Sequence, residues 1–153
     1  MVQSKNVIAL IPAISLLFPA LAAERGWTRV AGDGFSVVAE GPGTDAIRTA
    51  ARVERMRILL GGAKKALPLQ VVLVASDRLF QQLRPSAASQ GFYQSSANED
   101  WIVVRWNLSE SERAVSHELV HAYLEHSAPR RPLWLEEGLA EFYSQWISER
   151  RPG

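Results

Sequence analysis

Two histidines four residues apart, His117 and His121, stand in a run that is otherwise largely apolar, with Val115, Leu119, Val120 and Ala122 around them. On a helix, residues four apart lie one turn above each other, so both imidazoles point the same way. Glu118 sits between them. Burying an imidazole or a carboxylate without a partner is costly, so a polar trio on an apolar helix calls for a counterpart such as a cation. The pattern constrains the fold strongly, because a cation held by two imidazoles needs a third ligand from another element brought alongside.

The chain has such an element. Fifteen residues lie between His121 and Glu137, within Trp134-Leu135-Glu136-Glu137-Gly138-Leu139-Ala140-Glu141. If this segment is helical, Glu137 and Glu141 are four apart and can face the histidine helix together. Leu135, Leu139, Phe142 and Trp146 read as its core stripe at helical spacing. Gly138 falls between the two faces, where a missing side chain would let the helices approach; a mid-helix glycine otherwise costs about 1 kcal/mol. Glu137 is therefore assigned as the third metal ligand, and Glu141 as the carboxylate that accepts the free ring N–H of one histidine. Glu136 could replace Glu137, but a rotation of about 100° would move Glu141 out of register.

Three protein ligands suit a catalytic zinc, which keeps a fourth position for water and lowers its pKa to about 7, with a carboxylate beside it to take the proton. Glu118 is placed for that role, which makes the chain a candidate metallohydrolase with Zn2+ as cofactor. The chain has no cysteine, which removes disulfides, thiolate zinc sites and thiol nucleophiles together. Any metal must be held by His, Asp or Glu.

At the N-terminus Lys5 precedes an almost wholly apolar stretch, residues 7–21, ending in Ala20-Leu21-Ala22. Pro12, Pro19 and the small-x-small ending favour a signal peptide over residues 1–22 that is cleaved to leave residues 23–153, with no stable membrane insertion afterwards. An N-terminal membrane anchor is the alternative. The expected location is periplasmic or secreted. The chain carries 17 basic and 16 acidic residues. Without Lys5 the exported part is neutral, so no global field recommends nucleic acid as a partner. A single domain of this length buries about two thirds of its unfolded surface.

Residues 27–30 and 35–39 read as a hairpin, and a helix from a Thr44 cap runs to about Leu60, with Arg48, Arg52 and Arg55 on its solvated face. Residues 69–75 form a continuous apolar run, the mark of a strand buried on both faces. A short helix over residues 78–83 follows the Ser76-Asp77 cap, Gly91-Phe92-Tyr93 suggests a short strand, and residues 101–106 a further one. Ser109 and Glu112 make a capping box that starts the histidine helix near Glu110. His126 reads as a surface residue, and Glu125 as either solvated or supporting the site. The last helix runs from Leu133 to about Glu149. Together these elements make a single α+β domain with a small mixed or antiparallel sheet.

His117-Glu118-Leu119-Val120-His121 and Pro132-Leu133-Trp134-Leu135-Glu136-Glu137-Gly138-Leu139-Ala140-Glu141-Phe142-Tyr143 together resemble the gluzincin metallopeptidases, most closely the bacterial peptidase MA-like group. The resemblance implies a zincin-like fold with an active-site helix and a following glutamate-bearing helix. It implies zinc on His117, His121 and Glu137, with Glu118 as general base, and a peptide or protein substrate. It also suggests that residues 101–106 are the sheet edge along which an extended peptide pairs. An oxyanion-stabilising Tyr or His is implied too, for which Tyr143, Tyr123 and Tyr93 are candidates without a choice among them. The rivals are a noncatalytic zinc-stapled peptide-binding domain, in which Glu118 has no task, and a zinc hydrolase of a non-peptide amide. Oligomeric state is open.

Overall fold

The computed structural model of the chain describes residues 26–61, 68–107, 110–127 and 130–149. The expected signal peptide and Ser109 of the capping box lie outside them. In chain order the elements are β1 (Trp27–Gly32), β2 (Phe35–Glu40), α1 (Gly43–Leu59), β3 (Leu69–Val74), α2 (Asp77–Leu83), β4 (Gly91–Ser95), β5 (Asp100–Arg105), α3 (Ser111–His126) and α4 (Leu133–Glu149). This is a small α+β domain with one mixed five-stranded sheet and, among the described residues, four helices. No helix among them is long and apolar enough to cross a membrane.

The sheet order is β1-β2-β3-β5-β4. The two hairpin pairs, β1 with β2 and β4 with β5, are antiparallel, while β3 runs parallel to both of its neighbours. The first hairpin turns through Asp33-Gly34, and Gly34 takes φ 69°, a left-handed conformation that favours glycine. A parallel central strand is covered on both faces, and Leu69-Gln70-Val71-Val72-Leu73-Val74 is apolar almost throughout for that reason.

Side chains alternate across the sheet. Val37, Val71, Leu73, Ile102 and Val104 face the larger core, against Val53 and Met56 of α1 and Val115, Leu119 and Val120 of α3. Val72, Val74, Phe92, Trp101 and Val103 face the other way, against Leu79, Phe80 and Leu83 of the short α2. Each fully buried aliphatic side chain contributes about 1.5–3 kcal/mol, so these layers place α3 firmly on the β4–β5 half of the sheet.

Several expectations are corrected. Residues 101–106 are not an edge: β5 lies between β3 and β4, and the edge strand is β4. The core stripe of α4 keeps Leu139 of the four expected residues, Leu135, Leu139, Phe142 and Trp146, but is rotated away from Phe142. Ala140 and Ser144 are fully buried and Tyr143 packs on the core, whereas Phe142 is 59% and Trp134 74% exposed. Arg52 is not solvated, since its guanidinium lies 2.5 Å from Glu112 and 3.1 Å from Ser116 Oγ, bridging α1 to α3. Helix α1 begins at Gly43 with Pro42 at its cap, not at Thr44.

Candidate metal centre

α3 is pinned from below by Val115, Leu119 and Val120 and from its start by Ser111. The Ser111 hydroxyl donates to the Arg105 carbonyl at the end of β5 and accepts from the Asn107 N–H, both at 2.9 Å. With that face of the helix committed to the core, His117, Glu118 and His121 turn toward an open cleft of about 740 Å3. α4 forms the cleft's opposite wall. The turn before it is closed by the Pro132 carbonyl, which accepts from the N–H groups of Leu135 and Glu136.

The imidazole Nε2 atoms of His117 and His121 stand 3.1 Å apart. Glu137 places Oε2 3.4 Å from the first and Oε1 3.5 Å from the second. A tetrahedral zinc with bonds of about 2.0–2.1 Å has ligand-to-ligand edges of roughly 3.3–3.4 Å. Each imidazole thus has one of the two Glu137 oxygens near that edge length, the ligand atoms of the three residues lie within 4.8 Å of one another, and among the described residues they are the cluster of His, Asp or Glu donors that converges this way. Burial, together with the neighbouring His121, holds the His117 imidazole below its usual pKa, while the Glu137 carboxylate opposes the shift. The neutral ring this favours is the metal-binding form.

Glu118 points into the same cleft beside β4. Burial, then the negative charge of Glu137, raises its pKa to about 7, against the main-chain N–H of Tyr93, which favours the charged form. Tyr93 lies on the open edge of the sheet. Arg105 N–H donates to the Gln90 carbonyl, and the alternation of an antiparallel pair then turns the main-chain groups of Gly91 and Tyr93 outward. Gly91 matters here: a Cβ on it would stand 3.0 Å from Val104 Cγ2 and 3.5 Å from Glu118 Cγ. The crowding is with Val104 and the Val103 carbonyl of β5, so the missing side chain serves the β4–β5 pairing, and the glycine lies in ordinary contact with the Glu118 side chain.

Glu141 lies on the cleft wall, with Oε2 3.8 Å from His117 Nδ1, beyond a hydrogen bond, and its nearer partner is Arg113. Glu136 and Glu125 line the cleft outside the ligand trio. Gly138 has no heavy atom within 4 Å of a built Cβ. It is not what lets the helices meet, because a side chain there would enter open space. His126, read as a surface residue, is instead 2.5 Å from the buried Asp100 carboxylate. Among the tyrosines, Tyr123 and Tyr143 pack on the core and the Tyr93 hydroxyl donates to Asp100 at 3.1 Å. Compared with protein-family models, curated proteins and solved structures, the chain gives no match.

Proposed function

We infer that the chain is a zinc-dependent metallopeptidase of the gluzincin type, with a zincin-like arrangement of active-site helix, glutamate-bearing helix and edge strand. The observation that carries this reading is the convergence of His117, His121 and Glu137 at zinc-compatible spacing next to Glu118. Zn2+ bound there would polarise a carbonyl and acidify a water molecule. The Glu118 carboxylate, in a partly dry cleft, takes the proton from the attacking water and returns it to the departing amine. His117, His121 and Glu137 keep their positions through this exchange, because the core and α4 fix them.

A metal that only stapled two helices would have no use for a carboxylate beside it facing the cleft. The open edge of β4 runs beside Glu118, and its outward main-chain groups, those of Gly91 and the carbonyl of Tyr93, suit an extended peptide better than a compact amide. Export as a periplasmic or secreted enzyme belongs to the same proposal and rests on the N-terminal residues alone.

The test is turnover on a broad peptide library by the zinc-loaded chain. Wild type cleaves, and Glu118→Gln keeps the metal while losing about 100- to 10,000-fold in turnover. Equal inertness of the two proteins with one zinc bound would return the molecule to the class of zinc-stapled binding domains.

A further inference from the structure

Asp100 is the first residue of β5 and is 2% exposed. A carboxylate buried this deeply costs several kcal/mol unless it is fully partnered. Its partners come from two other elements. His126 Nε2, at the last residue of α3, lies 2.5 Å from Oδ2, and the Tyr93 hydroxyl of β4 donates to Oδ1 at 3.1 Å. Neither contact belongs to the metal trio, and packing alone would be served as well by apolar side chains.

The links run to Glu118 by two routes. Tyr93 offers it the main-chain N–H on the open edge of β4, and Gly91 on the same strand lies against its side chain. His126 lies eight residues after Glu118 on the same helix, about 12 Å along the axis. Helix α3 is thus held to the edge hairpin at two points, one at Glu118 and one two turns further on. An edge strand with one neighbour is otherwise the part of a sheet most free to shift.

We propose that Asp100, His126 and Tyr93 form a buried brace that holds β4 against α3 and so positions Glu118; they are positioning residues for the hydrolysis inferred above, on which this proposal rests. The brace leaves the metal ligands untouched. Its loss moves the base relative to the metal without emptying the site, and small misplacements of a reacting group cost about 10- to 100-fold in rate.

The experiment is amide hydrogen exchange at Tyr93 in the zinc-loaded full chain, with zinc content, kcat and KM measured on the same samples. Tyr93→Phe removes one contact to Asp100 and His126→Leu the other. His126→Gln keeps a donor near the position of Nε2. The expected result is that Tyr93→Phe and His126→Leu speed exchange of the residue-93 amide and lower kcat, each about ten-fold, with KM and zinc unchanged. His126→Gln stays close to wild type. If His126→Leu does not fold, Tyr93→Phe decides alone. Unchanged exchange in the folded variants, or lost zinc with unchanged exchange, overturns the brace. A wild type that never turns over any peptide sinks the hydrolase reading instead, and the exchange result stands apart from it.

Discussion

The two helices that build the metal centre hold their ligands by different means. α3 is seated on the sheet through Val115, Leu119 and Val120 and tied to α1 by the Arg52–Glu112 pair, so its imidazoles are aimed before any metal arrives. α4 is seated through the small residues Ala140 and Ser144 with Tyr143, and its ligand Glu137 has a side chain 53% exposed. The difference teaches where the site's rigidity resides. The histidine pair is a property of one helix, whereas the complete trio exists only while α4 stays docked.

The largest effect expected from breaking this contrast is on the rigid side. Replacing both His117 and His121 by alanine should take zinc from near one per chain to near none by metal analysis, since a lone carboxylate is a poor zinc site. On the docked side, Glu137→Gln should leave the imidazole pair aimed and weaken zinc by about 100-fold or more, as even supporting groups of a zinc site are worth 10- to 100-fold. Retention of wild-type affinity in a competition titration would move the third ligand elsewhere, with Glu136 the first to try.

A smaller effect concerns Glu118 in the metal-free chain. Its pKa is raised from 4.5 to about 7 in the folded state, mainly by burial, so the folded chain binds the proton more tightly than the unfolded one. The stability this gives is fully present below pH 4.5 and is lost as pH rises through 7, by up to about 3 kcal/mol. Denaturant titrations of metal-free Glu118→Gln should lack that decline, and parallel curves for the two proteins would show that the carboxyl is not so buried. The smallest effect is at Gly138, which sits on α4 with open space around it. Gly138→Ala should raise stability by about 1 kcal/mol or less and leave zinc binding unchanged. A loss of zinc there would mean that the helices approach more closely than their contacts indicate.

These contrasts also explain what could be read from the residues alone. The trio was legible because helical spacing fixes the relation of His117 to His121, and an apolar setting makes polar neighbours conspicuous. The doubly buried β3 was legible from its unbroken apolar run. Strand order was not: β5 is as apolar as an edge strand covered by substrate would be, and only pairing with β4 shows that it is internal. His126 and Arg52 were misread because their partners, Asp100 and Glu112, are distant in sequence. The face of α4 was legible at Leu139 and missed at Phe142, because the helix carries more apolar residues than its buried side accommodates, which leaves Leu133, Trp134 and Phe142 exposed. Gly91 carried no local signal for its closeness to Glu118.

X-ray absorption at the zinc edge of the loaded chain bears most directly on the proposed centre. Two imidazole nitrogens at about 2.0–2.1 Å with the remaining ligands oxygen are expected, together with loss of both nitrogen contributions in the His117→Ala/His121→Ala double variant. A shell containing one imidazole or none, or one that survives the double substitution, would contradict the shared site on α3 and α4.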